Sequence, residues 1–582
     1  MTKEDVAATL QEVGILLELK GEAAFRTLSY HTAARAILEY EGDFSNLVAA
    51  GRVTEIHGIG DTLKAKIETL VATGSLPQLE ALRGEIPTGV IQILRLPGLG
   101  VKKVKALYDL LHVDSLDALR AACEDGRVAK LKGFGAKTQQ KILDGLRFLR
   151  EVGQRVRIDQ GYPVGVALVD RLANLSGVTR VSLAGSLRRR HETAANVNVL
   201  AAAIDATPVL DTFAAQPEIL QVSGRTDTTA SAVVGMAAGG QRVVVPVELR
   251  VVPDAVFPFA LLYLTGSKAH NARLRERAAD RNMDLTERAL TQDGKPVHCP
   301  TEDHIYSALG LPYIPPELRE DTGEIEAAER DALPVLIEAG DIRGVLHNHT
   351  TYSDGAATLE QMALACKQLG LEYFGVGDHS QSLRVARGMS ISLVQNQHAE
   401  IDALNKRLSG VRILKGIECD ILQDGSLDYP DEVLRLFDYV VVSVHTLFGL
   451  PAAEMTARVC RALAHPATTI LGHATGRLLL KREGYKIDID EVLKVAARHG
   501  KMIEINAQPH RLDLEWTTVR KAKAMGIPLV INPDAHSEAE LALFEYGVDV
   551  ARRGWLEKTD VFNTRSLSEV VQEFERRKAA WK

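Results

Sequence analysis

Leu346-His347-Asn348-His349, with Ser353-Asp354-Gly355 just beyond it, decides how the C-terminal part of the chain is read. An apolar run over residues 343–349 closes in two histidines separated by one position. In a strand, positions i and i+2 point the same way, so both imidazoles aim at one centre. The pattern then recurs along the chain. Short apolar runs at 374–379, 414–418, 440–445, 470–473, 502–506 and 529–536 each end in a polar residue, and helical patterns separate them. Strands alternating with helices, with polar residues at the strand C-terminal ends, predict a β/α barrel whose site lies at that rim.

The residues gathered this way are His347, His349, Asp354, His379, Glu418, His445, His473, Asp534 and His536. Nine nitrogen and oxygen ligands are too many for one ion. Imidazole and carboxylate together suit Zn²⁺, Mn²⁺ or Fe²⁺, and two or three such ions about 3.5–4 Å apart clamp a phosphoester for in-line attack. A multinuclear metal-dependent phosphoesterase is therefore expected, with Mn²⁺ or Zn²⁺ as its ions. Arg384, Arg477 and Arg511 follow these strand ends, either to clamp the scissile phosphate or as structural surface arginines.

With 582 residues the chain is too long for one core, and 46% hydrophobic residues spread along it describe ordinary globular protein. No apolar run approaches membrane-spanning length and the first residues lack a signal-peptide pattern, so a cytoplasmic protein is expected. The five cysteines are scattered and never spaced C-x-x-C, which argues against a disulfide framework or thiolate zinc. A net charge of −7 means that a polyanion must be held by local patches.

Such a patch exists near the N-terminus. Ile56-His57-Gly58-Ile59-Gly60, Leu96-Pro97-Gly98-Leu99-Gly100 and Leu131-Lys132-Gly133-Phe134-Gly135 are near-copies, and each precedes a helix carrying lysines, among them Lys64, Lys66, Lys102, Lys103, Lys105, Lys137 and Lys141. Glycines permit a tight turn, and the helix N-terminus behind it offers free N–H groups and a positive dipole end to a phosphate. The repeat predicts helix-hairpin-helix units that hold DNA by its backbone. Residues 151–255 read as an α/β unit, 256–318 as a shorter helical one, and the acidic, turn-rich 319–340 as a linker.

Two families resemble these segments. L-H-N-H at 346–349, S-D-G at 353–355, G-D-H-S at 377–380, G-I-E-C-D at 416–420, S-V-H at 443–445, L-G-H-A-T-G-R at 471–477 and D-A-H-S at 534–537 closely resemble the polymerase-and-histidinol-phosphatase (PHP) family. The resemblance covers 341–582 and implies a distorted seven-stranded barrel holding three metal ions; Ala474 departs from it where proline is common. Gly185-Ser186-Leu187-Arg188-Arg189-Arg190 resembles the palm motif of family X DNA polymerases, and Tyr263-Leu264-Thr265-Gly266-Ser267 with Asn271 resembles their nucleotide-binding segment. That resemblance covers 1–318. It implies a deoxynucleoside triphosphate held by Gly185, Ser186, Arg189, Tyr263, Gly266 and Asn271, with Lys66 at the lyase position, as Schiff-base nucleophile or plain phosphate contact. A fused PHP domain is typical of the bacterial members.

One departure outweighs the match. Where the family has Asp-x-Asp, this chain has Asn196-Val197-Asn198, and the third aspartate is Glu248. Mg²⁺ demands hard anionic oxygens, so a Mg²⁺ or Mn²⁺ site for nucleotidyl transfer is expected to be impaired. The Gly-x-Thr-Lys motif is likewise Gly224-Arg225-Thr226-Asp227.

The resulting expectation is a multidomain α and α/β protein: an 8-kDa-like helical domain (1–85), helix-hairpin-helix fingers (86–150), a polymerase-beta-like nucleotidyltransferase palm (151–255) and thumb (256–318), a linker (319–340) and the barrel (341–582). Its expected partner is gapped, nicked or 3′-ended DNA, bound through Gly58, Gly60, Gly98, Gly100, Lys102, Lys103, Gly133 and Gly135. Its expected role is repair, as a 3′–5′ exonuclease or abasic-site endonuclease. An active Mn²⁺-dependent gap-filling polymerase and a DNA-gap scaffold with small-molecule phosphatase activity are the alternatives.

Overall fold

The computed structural model describes residues 3–40, 44–94, 96, 99–152, 155–238 and 241–581. It divides into two compact units, Met1–Gly153 and Gln154–Lys582.

The first unit is helical. The glycine repeats form equivalent turns: the fourth residue donates its backbone N–H to the first residue's carbonyl at 3.1 Å for Ile59 to Ile56, 3.2 Å for Leu99 to Leu96 and 3.1 Å for Phe134 to Leu131. Each turn leads into a helix, Asp61–Thr73, Val101–Leu111 and Gly135–Val152. Gly58 and Gly133 take φ of 96° and 89°, which a side chain adopts only at a cost. The apolar residue between the glycines, Ile59, Leu99 or Phe134, is buried in each copy. It anchors the turn while Gly58, Gly60, Gly100, Gly133 and Gly135 stay exposed.

In the second unit the segment expected to be the palm is a five-stranded sheet of β1 (Val178–Ala184), β2 (Val197–Ala203), β3 (Ile219–Arg225), β4 (Thr229–Ala238) and β5 (Gln241–Val252), in the order β1-β2-β5-β4-β3. Only the β2–β5 pair is parallel, and it sets Asn198 opposite Glu248. Helix Ile158–Ala173 covers the sheet with Val164, Leu168 and Leu172.

The barrel strands are β6 (Gly344–Val345), β7 (Tyr373–Gly375), β8 (Arg412–Leu414), β9 (Gly416–Asp420), β10 (Tyr439–Ser443), β11 (Ile470–Leu471), β12 (Met502–Asn506) and β13 (Leu529–Asn532). All pairings are parallel, in two sheets, β6-β7-β8 and β9 to β13. Only Lys415 separates β8 from β9, so the two act as one interrupted strand and seven strand positions result. Bridges His379–Glu418 and Asn348–Ala535 close the ring beyond the strand ends. A run such as Tyr439-Val440-Val441-Val442-Ser443 is buried throughout, as parallel strands covered on both faces require.

The C-terminal helix Leu567–Ala580 packs Val570 and Phe574 against Tyr373, Tyr439, Ile470 and Met502, all at strand starts. That end of the barrel is apolar and closed. The polar strand ends therefore lie at the opposite rim.

The segment 319–340 is not the exposed linker its composition suggests. Arg319 and Glu324 are both 0% exposed. Arg319 pairs with Glu302 at 2.8 Å, Glu324 meets His270 at 2.7 Å, and Ile325 and Ala328 join the thumb core. Beyond them, Ile337 donates its N–H to the Leu556 carbonyl and Arg552 pairs with Glu317 at 2.8 Å. Buried carboxylates survive there because each is paired and hydrogen-bonded. No helix among the described residues is long and apolar enough to cross a membrane.

Candidate metal centre and palm pocket

All nine strand-end residues converge. Three overlapping groups have potential ligand atoms within 4.8 Å of one another: His349, Asp354, His379 and His536; His347, His349 and Asp534; and His379, Glu418 and His445. Glu418 lies at their middle. Its Oε1 is 3.4 Å from His347 Nε2, 3.3 Å from His445 Nε2 and 2.9 Å from His473 Nε2, and its Oε2 is 2.9 Å from His379 Nδ1. Asp534 Oδ1 is 3.0 Å from His349 Nε2, and Asp354 stands 3.5 Å from His379 Nε2 and 3.6 Å from His536 Nε2.

The donors fit metal ions. His347 Nε2, His349 Nδ1, His379 Nδ1, His473 Nδ1 and Glu418 Oε1 are buried, and, although Glu418 lies close to several of the rings, none of these atoms makes a hydrogen bond of sound angular geometry among the described residues. Buried polar atoms left this way are costly unless something else satisfies them. The electrostatics agree. Burial works against charging His379 and His445, but Glu418 and a second carboxylate outweigh it and push them up to about 10 and about 9. Protons are thus drawn to a place built for cations. His349 goes the other way, pushed down to about 3 by burial and by neighbouring His536 and His379, so its lone pairs stay available. His473 and Asp534 hold left-handed backbone, with φ of 21° and 51°, a conformation that non-glycine residues keep where the surroundings enforce it.

Two carboxylates escaped the sequence reading. Glu504 Oε1 accepts from His347 Nδ1 at 2.7 Å, and Asp420 Oδ1 contacts His445 Nδ1 at 2.5 Å. Each fixes a ring so that its Nε2 faces the cluster, the usual way an outer carboxylate orients a ligand histidine. Asp420 carried a signal, since it lies two positions after Glu418 on β9 and shares its face. Asp378, next to His379, is instead consumed by Thr350, Ser353 and Gln397.

The three arginines separate. Arg511 Nε lies 3.9 Å from Asp534 Oδ2, beside the cluster. Arg384 is exposed on a rim loop, with no side-chain partner among the described residues. Arg477 is corrected: it pairs with Glu192 of the palm at 2.7 Å and donates to the Arg511 and Leu512 carbonyls, so its guanidinium is used to join palm and barrel.

In the palm, Asn196 and Asn198 satisfy each other: Asn198 Nδ2 donates to Asn196 Oδ1 at 3.0 Å, and the reciprocal contact is 3.4 Å. Two carboxylates here would repel and call for a cation; two amides do not. A Cβ on Gly185 would lie 2.5 Å from Asn198 Nδ2, so this approach requires glycine. Ser186 is half-buried at the same turn. Arg189 is held by Glu320 at 2.9 Å, by His191 and by the Thr265 carbonyl, and Gly266 adjoins it. Asn271 donates to the Tyr263 carbonyl at 2.8 Å, and the Tyr263 ring is exposed. In the first unit, Lys66 donates to Tyr30 and Gln78, and Lys103 lies 5.9 Å from the Phe134 ring. Lys102 is exposed, Gly60 and Gly100 cap their helices, Gly135 begins its own, and Gly98 lies outside the described residues.

Residues 1–76 match the helix-hairpin-helix domain, 90–147 the SAM-like helix-hairpin-helix tandem, 260–320 the DNA polymerase beta thumb and 346–508 the PHP domain. Over 578 residues the chain is 37% identical to a Bacillus subtilis (strain 168) protein named DNA polymerase/3'-5' exonuclease PolX, covering 98% of this chain and 99% of that one. A probable phosphatase of Thermoanaerobacter sp. (strain X514) is 29% identical over 229 residues, 38% of this chain and 89% of that protein. With likeness extending over nearly its whole length, the chain belongs to the family X DNA polymerases that carry a C-terminal PHP domain.

Proposed function

We propose that this chain is a DNA repair nuclease, a 3′–5′ exonuclease in the sense of its Bacillus relative's name, acting on gapped or nicked DNA. Nucleotide incorporation by its palm is absent or very weak in Mg²⁺. The observation that carries this reading is a contrast within one unit: nine imidazoles and carboxylates converge at the barrel rim, whereas two amides bond to each other where the palm needs anions.

His347, His349, Asp354, His379, Glu418, His445, His473, Asp534 and His536 would hold two or three ions, with Mn²⁺ the preferred one. When bound, these ions supply Lewis-acid polarisation of the phosphoester and an activated water. The protein's part is positioning. Glu504 and Asp420 hold His347 and His445 in one ring orientation, the closed apolar end keeps bulk water from the other side, and Arg511 meets the phosphate beside Asp534. Gly58, Gly60, Gly100, Lys102, Lys103, Gly133 and Gly135 would hold the DNA backbone without reading sequence. At the palm, a triphosphate seeking Arg189 must displace Glu320 from a part-buried ion pair, which weakens nucleotide binding. Lys66, engaged by Tyr30 and Gln78, serves as a phosphate contact.

The test is incubation of the full chain with a labelled one-nucleotide-gapped duplex in Mn²⁺ and in Mg²⁺, with and without deoxynucleotides. Stepwise shortening from the 3′ end without extension is expected. Templated extension in Mg²⁺ would overturn the palm reading, and absence of shortening in either metal would overturn the nuclease reading.

A further inference from the structure

A rim loop beside the metal centre ends in a bare apolar tip between two unpaired arginines. After β7 the chain passes His379 and runs out to Met389 before the next helix. Its base is closed by a Ser380–Met389 bridge, in which Met389 donates its N–H to the His379 carbonyl at 2.8 Å. The tip is a tight turn over Arg384–Ala386, with Gly388 donating back to the Leu383 carbonyl. Val385 is 93% exposed, while Ala386 and Met389, which follow it, are buried. Arg384 and Arg387 are exposed, and their guanidinium groups make no hydrogen bond or ion pair among the described residues.

The loop is held firmly. Ser382 donates its N–H to Asp428 at 2.7 Å and its hydroxyl to Asp420 at 2.9 Å, and Gln381 reaches the Asp428 carbonyl at 2.9 Å. Asp420 is the carboxylate that orients His445, so the loop and the cluster share an anchor. A Cβ on Gly388 would stand 2.0 Å from the Ser380 carbonyl oxygen, which leaves the chain no slack at that crossing. Phe25, Ile204 and Val335 are comparably bare, but they lie outside the barrel rim.

We infer that Val385 is a wedge that separates the terminal base pair of a DNA 3′ end, with Arg384 and Arg387 gripping the flanking phosphates. This inference rests on the nuclease reading above. Most of the cluster is recessed, with His347, His349, Glu418 and His473 almost fully buried, so a phosphodiester reaches it only on a strand freed from its partner. Apolar side chains inserted at a base step unstack it, and arginine contacts to phosphate fix the strand on either side. A tip ordered before DNA arrives performs this without paying to fold on contact.

The experiment compares the full chain with Val385→Ala in Mn²⁺ on a blunt duplex 3′ end, a frayed mismatched end and single-stranded DNA. Removing the wedge is expected to slow the blunt end about tenfold, leave single strands unchanged and leave the mismatched end nearly unchanged. A second readout needs no cleavage: 2-aminopurine at the terminal 3′ position should brighten when the wild-type chain binds in EDTA and stay dim with Val385→Ala. Equal slowing of paired and unpaired substrates, or equal brightening by both proteins, would overturn the wedge. Failure of the wild-type chain to shorten any of the three DNAs would overturn the nuclease reading instead, and the fluorescence comparison would still decide the wedge.

Discussion

Restoring the missing charges of the palm is the sharpest perturbation the structure suggests. In Asn196→Asp with Asn198→Asp, two carboxylates replace amides whose N and O atoms now meet at 3.0 and 3.4 Å, with Glu248 opposite Asn198 in register. Two like charges about 4 Å apart repel by about 4 kcal/mol at an effective dielectric near 20. Both positions are half-buried, so solvent trims this to about 2–3 kcal/mol, enough to raise one of the two carboxyls by about two pKa units. The variant should therefore melt at a lower temperature than wild type in EDTA at pH 8, and recover on adding millimolar Mg²⁺ or Mn²⁺. Wild type should show no such recovery from the palm. With the ion in place, gap filling should rise above the wild-type level, and Glu248→Asp should raise it again. Thermal unfolding with and without metal, followed by primer extension, checks each step. Equal melting of variant and wild type in EDTA, together with a metal response no larger than that of wild type, would show that these oxygens do not converge and would refute the reasoning.

Glu418→Gln removes one unit of charge from the centre of the cluster; about 4 Å from a divalent ion, at an effective dielectric near 20, that is about 8 kcal/mol, so Mn²⁺ affinity should fall by well over about a thousandfold, readable by calorimetric titration. Asp420→Asn keeps every candidate ligand but loosens His445, so Mn²⁺ affinity should fall by about 10–100-fold while the fold is retained, and an unchanged titration would exclude a positioning role for Asp420. Asp549 sits against Arg190 at 3.5 Å, yet burial pushes its carboxyl up to about 7 from an ordinary 3.8. The folded state thus binds this proton more tightly, so its contribution to stability is complete below about pH 4 and is lost as pH rises through about 7, by up to about 4 kcal/mol. Asp549→Asn should flatten the dependence of unfolding free energy on pH across that window by close to one proton, and an unaltered slope would assign the titration to another group.

The barrel and its nine candidate ligands were legible in the sequence because the signal is local. Each strand is a short apolar run, most end in a residue of a type able to bind metal, and H-x-H or D-x-H places two groups on one side by strand periodicity alone. The helix-hairpin-helix turns were legible for the same reason: Gly58 and Gly133 need positive φ, and glycine announces that. The amides at Asn196 and Asn198 and the longer carboxylate at Glu248, on which the proposal for the palm rests, were read directly from residue identity.

What escaped depends on partners far along the chain. Arg477 could be read as a phosphate clamp or as a structural surface arginine because it follows a strand end; Glu192, 285 positions earlier, already neutralises it. Segment 319–340 looked like a solvated linker because it is acidic; Glu324 is buried only because His270 and two backbone N–H groups meet it. The roles of Glu504 and Asp420 likewise appear only when their histidines arrive. Composition and periodicity report what a residue prefers in water, and they set the strands, the turns and the ligand types of this protein. Whether a given charge stays solvated or is paired in the interior depends on distances between segments remote in sequence, and those exist only in the folded chain.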